Sequence, residues 1–261
     1  MQPISIFQVD AFTDKVFHGN PAAVCILTEW FNDELLQAIA IENNLSETAF
    51  VLEEENGPHI RWFTPNGEVS LCGHATLAAG FVLFELGRVA QEKIQFSSLS
   101  GALTVYRKGE GYMLDFPALS YHVMPSPFQV QKLVDQTVSE TYESSLDYLL
   151  LLPSAGHVAQ AKVDLQALVN LPKRGLILTA RADDVDFYSR CFYPKHHVPE
   201  DPVTGSAHCV LAPFWSERLG KTLLKGRQGL VRQGEVKCQW LGERVHLFGQ
   251  CRWYLKGYLQ L

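Results

Sequence analysis

The chain is predicted to be an α/β (α+β) protein of two related halves, each a mixed, mostly antiparallel sheet with one central helix. Three observations predict it. Two anchor stretches, Leu71-Cys72-Gly73-His74-Ala75-Thr76 and Glu200-Asp201-Pro202-Val203-Thr204-Gly205-Ser206-Ala207-His208, are each preceded by Arg-x-Phe-x-Pro, at Arg61 to Pro65 and Arg190 to Pro194. Each is followed by small and apolar residues that stop at a Leu-Gly pair, Leu86-Gly87 or Leu219-Gly220. Finally, a strand–helix–strand pattern precedes each anchor. The same landmarks in the same order half a chain apart indicate a duplicated unit.

Taken in order, Ile4 to Val9 reads as a mostly apolar strand, and the turn His18-Gly19-Asn20-Pro21 leads into a second, Ala22 to Leu27. Asn32-Asp33-Glu34 offers capping oxygens and early negative charge to a helix whose Leu35, Leu36, Ile39 and Ala40 form one apolar face, ending near Asn43-Asn44. An apolar strand, Ser46 to Leu52, carries Glu47 near its start. By itself Glu47 reads as a solvated acid at a strand end. Arg61 to Pro65 is a further short strand. Gly73 to Leu86 is apolar nearly all round, the pattern of a helix enclosed by its own domain, with Gly87 as its C-terminal cap. Ile94 to Ser97, Ala102 to Tyr106 and Tyr112 to Phe116 complete the unit, and prolines at 117, 125 and 127 mark a boundary.

In the second half Tyr148 to Leu152 is a strand, Asp164 caps a short helix, and Gly175 to Thr179 is the next strand. Matching these strands to the first half puts Arg174 near the place Glu47 holds. The helix Gly205 to Leu219 contains Pro213, which is expected to kink it or end it early. Val231, Val236 to Trp240 and Val245 to Phe248 read as closing strands. The expected division is 1–117 for the first half and 118–250 for the second, with 251–261 a final strand returning to the first.

Composition narrows the function classes. At 261 residues two domains are expected, and 47 % hydrophobic residues suit ordinary cores. A formal charge of −6 gives no general attraction to nucleic acid or anionic lipid. Met1-Gln2-Pro3-Ile4 lacks the basic and apolar regions of a signal peptide, and no apolar run approaches the ~20 residues of a membrane span. A cytoplasmic protein is expected, with no membrane partner. The 6 cysteines contain no Cys-x-x-Cys pair, so reduced thiols and no zinc knuckle are expected. No Gly-x-Gly-x-x-Gly fingerprint occurs, and no cofactor is expected.

The anchors carry the chemistry. A helix N-terminus leaves backbone N–H groups unpaired and partly positive, ready for a carboxylate or a developing oxyanion. Gly73 and Gly205 permit close approach of a ligand to the backbone, while His74, Thr204 and Ser206 add hydrogen-bonding groups. The competing reading is plain capping of the helix by Thr204 and Ser206. A cluster of His196, His197, Glu200, Asp201 and His208 raises a metal site as an alternative, but the first anchor has no matching cluster and no metal is expected.

The His18-Gly19-Asn20-Pro21 turn, Ser46-Glu47-Thr48-Ala49-Phe50, the Cys72 to Thr76 anchor and the Glu200 to Ala207 stretch resemble the PhzF-like isomerases of phenazine biosynthesis, over essentially the whole chain. That resemblance implies a diaminopimelate epimerase-like fold: two pseudo-symmetric domains, each a sheet or barrel wrapped around its central helix. It implies an isomerase that shifts a proton on a small carboxylate-bearing molecule, a cyclic or linear amino or hydroxy acid. The family's acid-base group falls on Glu47, and its substrate contacts on His74, Asp201 and Ser206, with Gly73, Thr204 and Gly205 at the helix starts and Asn20 nearby. A homodimer is implied as well.

A partly desolvated Glu47 beside Ala49 and Phe50 would have its pKa pushed upward, where one group can both accept and donate a proton. His74 and Asp201 either relay a second proton or hold the substrate. Related two-base epimerases need a cysteine at each helix start; here Cys72 holds the first position and Thr204 the second, so two-thiol racemisation is not expected. Cys72 reads as a relic, a buried small residue or a secondary acid-base thiol. A binding or sensor protein on the same fold is the rival reading.

Overall fold

The structure, a computed structural model, describes residues 3–261; Met1 and Gln2 of the opening stretch lie outside the described residues. The chain divides into two compact units, one formed by residues up to Asp115 with Phe248–Leu261, the other by Phe116–Leu247.

The first unit begins with β1 (Ile4–Ala11) and β2 (Asn20–Leu27), an antiparallel pair. A parallel neighbour cannot be reached by a tight turn, so α1 (Asp33–Asn43) makes the crossover to β3 (Glu47–Glu54), which runs parallel to β2 with Ala22 opposite Glu47. Asn32 Oδ1 caps α1 at the Leu35 amide, and Asn44 ends it in the left-handed conformation. Antiparallel β4 (Gly57–Thr64) and β5 (Gly67–Val69) follow, then the central helix α2 (Gly73–Glu85) and the strands β6 (Lys93–Phe96), β7 (Leu103–Lys108) and β8 (Gly111–Pro117). Residues 74–84 of α2 are all buried, which explains a helix without a polar face. It packs on β1, β2, β3 and β7, while α1 covers other residues of the sheet through Leu36, Ile39 and Ala40.

The second unit repeats this scheme. After β9 (Tyr121–Val123) and the short α3 (Phe128–Gln131), β10 (Glu140–Ser144) pairs antiparallel with β11 (Asp147–Leu151). The crossover through α4 (Ala155–Gln160) and α5 (Leu165–Val169) leads to β12 (Gly175–Arg181), parallel to β11 with Asp147 opposite Gly175. Antiparallel β13 (Phe187–Tyr193) and β14 (Val198–Asp201) precede the central helix α6 (Gly205–Leu219). Strands β15 (Leu223–Gln228), β16 (Gly234–Leu241) and β17 (Arg244–Gly249) close the unit. The last strand, β18 (Cys251–Leu259), pairs antiparallel with β1, as β9 pairs with β10.

The repeated Arg-x-Phe-x-Pro landmark is a clamp. Arg61 on β4 binds Glu68 of β5 with Nε at 2.7 Å from Oε1 and Nη2 at 2.7 Å from Oε2. Arg190 on β13 binds Glu200 of β14 in the same two-pronged way, at 2.8 and 2.7 Å. Each guanidinium also lies 5.0 Å over the phenylalanine two residues on, Phe63 or Phe192. The clamp fixes the strand from which the chain enters its central helix.

Two expectations change. Pro213 neither ends α6 early nor leaves a carbonyl stranded. The carbonyl it deprives, that of Cys209, accepts from the Leu119 amide at 2.9 Å, so the helix runs on to Leu219. Val231 is not in a strand, whereas Leu223–Gln228 is. No helix of the described residues is long and apolar enough to cross a membrane.

Candidate functional site

In the first unit the parallel pairing of β2 and β3 brings the starts of both strands to one end, and residues from each meet the first turn of α2. Asn20 opens β2 after Gly19, whose φ of +61° and closeness to the Ala11 carbonyl leave no room for a side chain. Glu47 opens β3, and His74 is the second residue of α2. His74 is buried between them: its Nδ1 lies 3.2 Å from Asn20 Nδ2 and its Nε2 lies 3.2 Å from Glu47 Oε2. The Asn20 amide nitrogen donates to Nδ1, and Nε2 is the ring atom nearer the carboxylate.

Burial lowers the His74 pKa to about 3, and the Pro21 carbonyl, which favours the charged ring, offsets only part of this. The imidazole is therefore neutral at physiological pH. Nε2 and Oε2 lie 3.2 Å apart, near enough for a proton to pass between them once the two groups align. The Glu47 side chain keeps 17 % of its surface open, against 5 % for His74, so within this group the carboxylate is the more accessible member.

Cys72, the N-cap of α2, is buried with Sγ 3.6 Å from His74 Nδ1. Ligand atoms of Glu47, Cys72 and His74 lie within 4.8 Å of one another, a spacing a metal ion can use. The thiol and the carboxylate, however, sit against opposite nitrogens of one ring. A single ion using one of those nitrogens would draw the far ligand away from its present contact. The geometry fits a cluster of polar groups around one ring better than a coordination sphere.

In the second unit the start of α6 is surrounded by a different set. Thr204 is its N-cap, yet its hydroxyl makes no capping bond. It donates instead to Asp201 Oδ2 at 2.5 Å and accepts from Gln228 Nε2 at 3.0 Å. Gln228, fully buried at the end of β15, also accepts from the Thr204 amide and donates to the Asp201 carbonyl. Neither Thr204 nor Cys72 caps its helix with a side chain, so the plain capping reading of Thr204 fails, and no N-cap side chain occupies the N–H groups of the first turns at Gly73 and at Gly205 and Ser206.

Ser206, the second residue of α6, corresponds to His74. Its Oγ accepts from Arg174 Nη2 at 3.0 Å. Arg174, just before β12, is held by Asp147 through Nε–Oδ1 at 3.1 Å and Nη2–Oδ2 at 2.6 Å, and lies 4.6 Å over the Tyr193 ring. That ring fills the space a side chain at Gly175 would need, coming within 2.3 Å of where its Cβ would be. Burial lowers the Arg174 pKa, but Tyr193 and Asp147 more than compensate and hold it above the ordinary value.

The structure thus gathers Asn20, Glu47, Cys72, Gly73 and His74 in the first unit, and Asp201, Thr204, Gly205 and Ser206 in the second. Of the residues weighed for a metal, Glu200 is taken by Arg190, and His208 Nδ1 is bonded to the Thr204 carbonyl at 2.8 Å. Asp147, Tyr193 and Gln228 escaped the sequence reading. A strand-start acid and a strand-end amide carry no signature; only the register that sets Asp147 opposite Gly175, next to Arg174, points to the first of them.

Comparison with known proteins agrees with this architecture. The family model described as phenazine biosynthesis-like protein matches residues 9–252. The chain is 46 % identical over 258 residues, 99 % of each chain, to an uncharacterized isomerase of Pseudomonas aeruginosa. A crystal structure of a phenazine biosynthesis protein of the PhzF family from Enterococcus faecalis matches with a TM-score of 0.95 at 42 % identity, covering 100 % of both chains. A hydroxyproline epimerase from Agrobacterium vitis shares the fold alone, with a TM-score of 0.64 at 11 % identity, over 99 % of this chain and 92 % of that one. The fold is the diaminopimelate epimerase-like one, and these relatives support an isomerase role.

Proposed function

The chain belongs to the phenazine biosynthesis-like family, and from that premise we propose that it is an isomerase moving a proton on a small carboxylate-bearing molecule, a cyclic or linear amino or hydroxy acid, with Glu47 as the acid-base group. The observation that carries this reading is the contact between Glu47 Oε2 and the neutral, buried His74 at 3.2 Å. A shuttling group must accept a proton in one step and return it in the next. A partly open carboxylate beside a neutral imidazole can do both, because no fixed positive charge from that ring keeps it ionised.

In the proposed reaction Glu47 takes a proton from one carbon of the substrate, and the electron pair left there moves into an adjacent π-system. The protonated Glu47 returns the proton to another carbon on the same face. Atoms and electrons balance within the substrate, and no redox cofactor is required. Free N–H groups at the helix starts favour an anionic oxygen on the substrate or the intermediate. Two-thiol chemistry is disfavoured because Thr204, the counterpart of Cys72, has its hydroxyl committed to Asp201.

The test is NMR in deuterated water, with the wild type and Glu47→Gln presented with a panel of cyclic and linear amino and hydroxy acids. The expected result is loss of a C–H signal with wild type alone, both proteins keeping the same melting temperature. Exchange undiminished in Glu47→Gln rejects the assignment, and ligand binding without exchange by the wild type favours the sensor reading.

A further inference from the structure

Resting on the reading of the α6 start as a substrate contact, we propose that Arg174 is a positioning residue that makes the Ser206 hydroxyl a dedicated hydrogen-bond donor, and that this selects a carboxylate over its neutral amide. A serine hydroxyl can accept and donate, and by itself discriminates poorly between an acceptor and a donor on the ligand. Arg174 removes that freedom. A guanidinium has only donors, so its 3.0 Å contact from Nη2 obliges Ser206 Oγ to accept there. The hydroxyl proton must then point elsewhere, and no acceptor for it occurs among the described residues, while Ser206 itself is only half-buried. A group offered to that proton has to be an acceptor.

The orientation of Arg174 is not adjustable. Asp147, with 1 % of its side chain exposed, grips two of its nitrogens, and Tyr193 lies beneath its plane, seated where Gly175 has no side chain. Both hydrogens of Nη2 are used, one on Asp147 and one on Ser206. A carboxylate oxygen meets one donor from Ser206 and a nearby positive charge. The NH₂ of a carboxamide presented in the same place would set donor against donor, the kind of mismatch that gives the larger discrimination ratios.

The test titrates the full chain calorimetrically with matched pairs: benzoate and benzamide, proline and prolinamide, cyclohexenecarboxylate and its amide. Wild type is expected to prefer the carboxylate by about tenfold or more. Ser206→Ala should cut the ratio below about threefold, and so should Arg174→Gln combined with Asp147→Asn, which removes both charges and leaves neither buried alone. The three changes together should lower it no further, since Arg174 acts through Ser206. Loss or persistence of proton exchange in Glu47→Gln has no bearing on the ratio compared between wild type and Ser206→Ala, which separates this proposal from the catalytic one. Should the charge-pair variant not fold, as melting would reveal, Ser206→Ala carries the test alone. An unchanged ratio in a folded variant, additive losses, or a wild type that binds no carboxylate in preference to its amide overturns the proposal.

Discussion

In the first unit the second residue of the central helix, His74, meets the carboxylate of Glu47; in the second unit the equivalent residue, Ser206, meets the guanidinium of Arg174. The scaffolds around the two contacts agree strand for strand: an antiparallel pair, a helical crossover to a parallel strand, two antiparallel strands joined by an Arg–Glu clamp, and a helix whose N-cap side chain does not cap. The pattern common to both is therefore what the fold needs, and the opposite charges are what chemistry has added. An acid beside a neutral imidazole can exchange protons. A guanidinium tied to a buried aspartate cannot, and serves to orient and to select.

Replacing the acid should give the largest effect. Glu47→Gln is expected to reduce proton exchange by about 10³-fold, the range for removal of a general acid-base group, while the melting temperature stays within a few degrees. A loss smaller than about tenfold would erase the distinction between the units. In the second unit the same kind of change should damage the fold instead. Asp147→Ala leaves the half-buried Arg174 without its partner and should cost about 2 kcal/mol by denaturant unfolding, below the fully buried range because the guanidinium keeps some contact with water, whereas Asp147→Asn with Arg174→Gln should cost less. Equal costs would mean the pair is not held as described.

Acid should act on both units alike, through a neutral histidine in each. Burial lowers His74 to about 3, and it lowers His208 to about 4 although the Thr204 carbonyl pulls the other way. The unfolded chain, with histidine near 6.5, binds protons the folded chain refuses between that value and about 4 or 3. Stability is then full above pH 6.5 and is lost as pH falls through this window, by about 2 kcal/mol per histidine at pH 5. Unfolding at pH 7 and pH 5 checks this, and His208→Gln should remove about half of the difference. The smallest effect expected is that of Gln228→Met, which strips the Thr204–Asp201 turn of its amide bonds. It should cost about 1 to 2 kcal/mol and raise KM more than it lowers kcat.

Much of this was legible before any coordinates. The duplication shows because Arg61 and Arg190 do the same mechanical work and therefore keep the same neighbours, and the enclosed helices show because they lack a polar face. Glu47 is visible only through the company of its motif; alone it is one acid among 28 acidic residues. Leu223–Gln228 escaped because Gly226 interrupts an apolar–polar alternation, and the structure needs that glycine, since a Cβ there would fall 2.3 Å from the Phe187 ring. Thr204 looked like a cap because threonine before a helix usually is one. Its hydroxyl is diverted by Gln228 and Asp201, residues 24 and 3 positions away, and no local pattern records such a long-range partner.

The most direct test follows the proton itself. With a substrate that exchanges, a single turnover in deuterated water is run with the wild type and with Glu47→Gln, and deuterium in the product is located by NMR. The account predicts that wild type places hydrogen at one new carbon, part of it still the substrate's own, and that Glu47→Gln forms no product. Product formed by Glu47→Gln at the wild-type rate would contradict it and move the acid-base role to another residue of the first unit, Cys72 or His74, or to Asp201 of the second.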